Sequence, residues 1–151
     1  MTAGPPESRI ARRRIVDRVA DVLVLLCVLG FALAVIPVAY DNTNSSSWDQ
    51  RDYLKIGLWI SRGIGFTDSN RNPLYPLLLA PLATRDVRYF TMAKCVSLGI
   101  GCIGLATTYY VARKYVGSVG ALAVTSLLML NREYRYAAAH VDTEILLTPL
   151  F

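Results

Sequence analysis

The stretch VLVLLCVLGFALAVIPVAY, residues 22–40, decides the fold class. It has no ionisable side chain before its terminal tyrosine. At 1.5 Å rise per residue, a helix of this length comes close to the roughly 30 Å thickness of a bilayer's hydrocarbon core. It is apolar all round its circumference, whereas a helix resting on a soluble core keeps one polar face. The reading is a membrane span. The apolar share of the whole chain, 54%, matters less than this distribution.

Upstream of the span lie Arg9, Arg12, Arg13, Arg14 and Arg18, five of the sixteen basic residues. Basic residues crowded on one flank of a span favour the cytoplasmic side. Residues 1–18 are therefore expected to be a cytoplasmic basic tail, and residues 19–151 part of a polytopic domain in the cell membrane. This flank accounts for much of the net charge of +5, so no nucleic-acid partner is inferred from it. The later loops set Arg113 and Lys114 against Arg132 and Arg135 and leave the orientation to the N-terminus. The run is long for the core of a cleaved signal peptide, and residues 36–40 lack a small-x-small cleavage pattern. Cys27, Cys95 and Cys102 all fall in apolar runs with neither metal spacing nor a disulfide framework, and read as packing residues.

Downstream, residues 41–88 form an outer loop containing two short helices. Ser47-Trp48-Asp49-Gln50 matches a capping box, with Gln50 three residues after the cap. The helix it opens runs to about Arg62 and stops at Gly63 and Gly65. Tyr53, Ile56 and Ile60 share one face and Arg51, Lys55 and Arg62 another, the pattern of a helix lying in the membrane interface. A second juxtamembrane helix is expected at Asn72-Pro73-Leu74-Tyr75-Pro76, short and kinked because of Pro76 and Pro81. Further spans are expected at about 89–111 and 116–130, joined by a tight turn at Arg113-Lys114. Lys94 is placed to snorkel to the interface, and Ser97 with Gly101 gives a small-xxx-small packing face. Residues 131–136 read as an interfacial turn. A fourth span starts at 137–151 and is cut off before it can cross, so the expectation is an N-terminal portion, incomplete and inactive alone. The fold class is thus all-α, multi-pass, with two interfacial helices in the first outer loop.

Acidic residues stand in two places that a membrane protein ordinarily avoids. Asp49 and Asp52 are three apart and share a helix face; an acid there also favours the helix dipole, and Asp52 can pair with Lys55. His140-Val141-Asp142-Thr143-Glu144 stands at the mouth of the last apolar run, where ionisable residues are functional candidates. On a helix Asp142 and Glu144 would diverge by about 200°, so both face one ligand only if the segment is extended or just starting its helix. His140 reads as an interfacial polar residue, not a ligand.

The order of these motifs resembles the N-terminal part of the GT-C type integral-membrane glycosyltransferases, among them the protein O-mannosyltransferases, the lipid A aminoarabinose transferases and the oligosaccharyltransferases. Asp49-Gln50-Arg51-Asp52-Tyr53 is similar to their first-loop motif, although Gln50 stands where an acid is common. Asn72-Pro73-Leu74-Tyr75-Pro76 is similar to their Pro-Pro-x-Tyr-Pro segment, with Asn72 in place of a proline. Asp142-Thr143-Glu144 is similar to their second acidic motif. The resemblance implies transfer of a sugar from a polyprenyl-phosphate-linked donor to an acceptor on the outer face. It implies Asp49 as the catalytic base, with Asp52, Tyr53 and Tyr75 binding acceptor or donor. It also implies that Asp142 and Glu144, with Asp49, hold a divalent cation, Mg²⁺ or Mn²⁺, as hard oxygen donors do. The partners are then the lipid-linked donor and membrane lipids. The alternatives from other classes are a small non-catalytic multi-pass membrane protein, whose acids only cap helices, and a transporter fragment, whose acids bind protons.

Overall fold

The computed structural model describes residues 6–46, 48–68 and 71–147, and every described element is helical. The order is α1 (Pro6–Asp41), α2 (Trp48–Ser61), α3 (Leu74–Leu79) with a 3₁₀ turn (Ala80–Leu82), α4 (Val87–Leu130), α5 (Arg132–Ala139) and α6 (Glu144–Leu147). The all-α expectation holds.

α1 and α4 are each long and apolar enough to cross a membrane. Neither is buried to the extent usual for a core helix. Only 17% of the most apolar stretch of α1 and 28% of that of α4 is buried. Val22, Leu25, Leu26, Leu29 and Leu33 all stand more than half exposed on α1. Apolar surface of that extent is unfavourable in water, at about 25 cal/mol per Å².

The basic stretch is helical over its described residues. From Pro6 onward it is the first part of α1, which runs unbroken for 36 residues, about 54 Å. Pro6 begins the helix, where its missing N–H costs nothing, and no glycine or proline follows until Gly30. Residues 1–5 lie outside the described residues.

The expected turn at Arg113-Lys114 is also corrected. Both residues are helical, and the break falls at Gly117, with φ 73° and ψ 174°. That conformation is essentially restricted to glycine. The chain reverses there: Tyr109 before it and Ala121 after it pack in one cluster with Ala20 and Val24 of α1. Beyond the second arm, the Tyr134 hydroxyl donates to the Gly101 carbonyl oxygen at 2.6 Å. The two arms, 87–116 and 118–130, thus lie antiparallel beside α1. Arg113 is helical because it faces α1, where Asp17 and Asp21 receive its guanidinium.

Residues 131–136 are not a turn either. Asn131 caps α5, its Oδ1 accepting the Tyr134 N–H at 3.0 Å. Ala137, Ala138 and Ala139 end that helix, buried, rather than opening a fourth span. The chain leaves the helical form over 140–143, and α6 starts afresh at Glu144. Residues 148–151 of the expected span lie outside the described residues.

The small-xxx-small face packs as expected. Ser97 and Gly101 are buried, and a methyl on Gly101 would come within 3.1 Å of Ala138 and 3.3 Å of Phe31. Lys94 does something other than snorkel. Its ammonium donates to the carbonyls of Ala39 (2.6 Å) and Asn42 (2.8 Å), closing the C-terminal end of α1 where backbone acceptors lack helical partners.

Candidate functional site

The core at the α1–α2 end of the molecule is aromatic: Phe31, Tyr53, Tyr75, Tyr89, Phe90 and Tyr134 are all buried. Tyr53 and Tyr75 meet edge to face, centroids 5.6 Å apart. On this platform sits α2, whose first turns carry Asp49, Gln50, Asp52 and Tyr53. Ser47, the expected cap of α2, lies outside the described residues.

α2 grips the second acidic motif directly. The Val141 N–H donates to Gln50 Oε1 at 3.0 Å, and the hydroxyls of Tyr53 and Thr143 are 2.8 Å apart. Residues 50 and 53 are one turn apart on the same helix face. The Val141 backbone N–H and the Thr143 hydroxyl both reach this face from the non-helical segment between α5 and α6. Two motifs about ninety positions apart are in this way fastened side by side.

The acids of α2 converge on one cation. The Arg71 guanidinium pairs with Asp49 through Nη1 and with Asp52 through Nη2, the latter at 2.9 Å. It also lies over the Tyr53 ring, 5.5 Å from the centroid. Partial burial works to lower the Arg71 pKa, but the bonds to Asp52 and Asp49 outweigh it and push it further up, so the cation is permanent. Asp49 remains half exposed at 49%, against 36% for Asp52. Lys55, the partner expected for Asp52, lies instead over the Trp59 ring. Arg71 was invisible as a partner in the sequence. Its one signal was that two neighbouring acids on α2 needed a cation, and the following linker carried one.

Tyr53 and Tyr75 stand behind this rim. Tyr75 is fully buried, its hydroxyl bonded to that of Ser97; burial drives its pKa up although the Ser97 bond opposes this. Asp142 and Glu144 part company. Asp142 Oδ1 accepts the Glu144 N–H at 3.2 Å, closing a local turn at the start of α6. Glu144 lines an open cleft of about 190 Å³ with Asn131, Glu133 and Tyr134. Among the described residues, no three His, Cys, Asp or Glu side chains gather to hold a metal ion. His140 stacks on Tyr136, centroids 3.8 Å apart, with Nδ1 2.9 Å from the Tyr136 carbonyl oxygen.

A second feature lies alongside. A cleft of about 480 Å³ opens between the C-terminal end of α1 and the start of α4, walled by Ile36, Ala39, Phe90, Cys95 and Leu98, with Lys94 among its polar groups. It reaches the aromatic end through Asn42, whose Nδ2 donates to Gln50 Oε1 at 2.9 Å. No protein-family model, characterised protein or solved structure matches this chain.

Proposed function

We propose that the chain is the N-terminal part of a multi-pass membrane glycosyltransferase, N-terminus in the cytoplasm. It transfers a sugar from a polyprenyl-phosphate-linked donor to an acceptor on the outer face. One observation carries this reading: the half-exposed Asp49 stands beside a permanent cation, on a helix fastened to the Asp142 segment. Such a pairing puts a proton acceptor and an anion-binding group at one rim.

In this reading Asp49 takes the proton of the acceptor hydroxyl. The acceptor oxygen bonds to the anomeric carbon as the bond from that carbon to the phosphate oxygen breaks. The departing lipid phosphate carries away the electron pair, and Arg71 meets its charge. Tyr53 and Tyr75 hold the rim from behind, and Asp52 shares Arg71 with Asp49, keeping the guanidinium within reach of both. The apolar cleft beside Lys94 suits a prenyl chain approaching from the membrane.

The test is Asp49→Asn in the whole gene product, assayed in membranes with a radiolabelled prenyl-phosphate sugar. A positioned general base contributes about 10²–10⁴-fold, so transfer should fall by that range while the amount of inserted protein is unchanged. Normal turnover in the variant refutes the assignment. The topology is tested separately with Cys27, Cys95 and Cys102 replaced by serine. Thr43→Cys should then react with an impermeant thiol reagent added to intact cells, and Ser8→Cys should not. The reverse pattern overturns the orientation.

A further inference from the structure

Gln50 is only 4% exposed, yet its carboxamide serves two separate parts of the chain. Its Oε1 accepts from Asn42 Nδ2 at 2.9 Å and from the Val141 N–H at 3.0 Å. Its Nε2 donates to the Asn44 carbonyl at 3.1 Å and lies 3.5 Å from Asn42 Oδ1. One buried side chain therefore joins the α1–α2 connection to the segment that carries Asp142. The geometry points to Gln50 as a positioning residue: its carboxamide docks residues 141–144 onto α2 and so sets where Asp142 stands relative to Asp49. The docking stands on its own contacts; its consequence for transfer rests on the function proposed above.

The docking needs a donor and an acceptor on one side chain, which is why an amide occupies this position. An ionised carboxylate would still accept from Val141 and Asn42. It would also set a negative oxygen against the Asn44 carbonyl, a buried clash between acceptors. A protonated glutamic acid carries an O–H and restores the donor. Gln50→Glu is thus an isosteric variant that docks when protonated and not when ionised. Burial disfavours its charged form and places the transition above the ordinary carboxylate range. The titratable and charged groups around Gln50 include Asp41 in α1, Asp49, Arg51, Asp52, Tyr53 and Lys55 in α2, Arg71 in the linker that pairs with Asp49 and Asp52, Lys94 in α4, and His140, Asp142 and Glu144. All are shared with the natural protein, so the difference between the two proteins isolates position 50.

Hydrogen exchange of the peptide 140–147 reads the docking directly. The natural protein, Gln50→Glu and Gln50→Ala are compared in lipid nanodiscs from pH 5 to pH 8, corrected for intrinsic exchange. The natural protein should stay protected throughout. Gln50→Ala should lose protection about five- to tenfold at every pH, as loss of a hydrogen bond of about 1 kcal/mol implies. Gln50→Glu should match the natural protein at the acid end and Gln50→Ala at the alkaline end; the acid-end match shows that the variant folds. Unchanged protection in Gln50→Ala, or a pH-independent Gln50→Glu, overturns the docking. Transfer relative to the natural protein should follow the same pH curve in Gln50→Glu. Exchange that follows the curve while transfer does not overturns the positioning role. Exchange that follows the curve in Gln50→Glu, with no transfer by the natural protein, refutes the glycosyltransferase reading and leaves the docking standing.

Discussion

Two arginines in this molecule each hold two aspartates, and the two clusters do different things. Arg113 joins α4 to Asp17 and Asp21 on α1, across some ninety positions of sequence. Its acids are further occupied: the Tyr109 hydroxyl donates to Asp21 at 2.9 Å, and that of Ser118, just past the reversal at Gly117, donates to Asp17. Arg71 joins a linker to Asp49 and Asp52 on the helix shortly before it. Among the described residues, no hydroxyl shares those acids. The first cluster crosslinks the long helices and ties the hairpin bend to α1. The second ties the linker after α2 back onto that helix and does not reach the long helices. What separates a lock from a candidate site is therefore not the ion pair but what else its oxygens are doing.

The sharpest test crosses the two clusters. Asp49→Asn should cut transfer by about 10²–10⁴-fold with little change in thermal melting. Asp21→Ala removes the acceptor of Tyr109 and a partner of Arg113, and should cost about 1.5–3 kcal/mol, the range for hydrogen bonds to charged groups. The pair is about a third exposed, which argues for the lower end. Melting of purified protein in detergent, alongside the transfer assay, reads both. If Asp49→Asn proves the destabilising change and Asp21→Ala the harmless one, the comparison is backwards.

Glycines test the frame on which the two clusters sit. A methyl on Gly57 would run into the Tyr89 hydroxyl and stand 3.3 Å from both the Pro76 carbonyl oxygen and Leu79. That hydroxyl is buried with no hydrogen-bond partner among the described residues. Gly57→Ala should cost about 1–3 kcal/mol as overpacking. It should act at the α2 end, loosening the 140–147 peptide in hydrogen exchange. Gly117→Ala meets open space but a positive φ, and should cost a similar amount, about 1–3 kcal/mol, as backbone strain. Its effect should appear at the α1–α4 contact and leave residues 140–147 protected. Equal loosening of both regions by both variants would mean that the two ends are one cooperative unit.

Local signals carried much of the fold, and partners across the chain did not show. The long apolar run, the start and length of α2 and the short α3 follow from hydropathy, spacing and proline, all of which act within a few residues. The reversal was misplaced because Arg113-Lys114 looks hydrophilic enough to be a turn. Its charge is explained by acids some ninety residues earlier that no local pattern can reveal. Lys94 was read as reaching for the interface for the same reason; its acceptors are carbonyls at the end of another helix. α5 was missed although Asn131 and Glu133 are a fair helix start, because its aromatic and basic residues resemble an interfacial loop. At the candidate site the acids and tyrosines were legible as residue types. Arg71, and the grip of Gln50 on Val141, were not.

The finest discrimination replaces each arginine by lysine. A guanidinium offers separate N–H groups to two carboxylates, whereas an ammonium is a compact point charge on a flexible stem. At position 113 the stronger contact, to Asp21, can be kept, while the 3.6 Å contact to Asp17 is the one at risk. Ser118 still donates to Asp17 there, so no acid is left bare. Arg113→Lys should therefore cost no more than about 0.5–1 kcal/mol, the range of a partly exposed pair, and the loss should shrink in high salt. At position 71 the same change removes the span between Asp49 and Asp52. Arg71→Lys should leave melting nearly untouched and lower transfer, because one acid rather than both stays tied to the cation. A larger melting loss at 71 than at 113 would make Arg71 the structural clasp and return Asp49 to the role of a helix-capping acid.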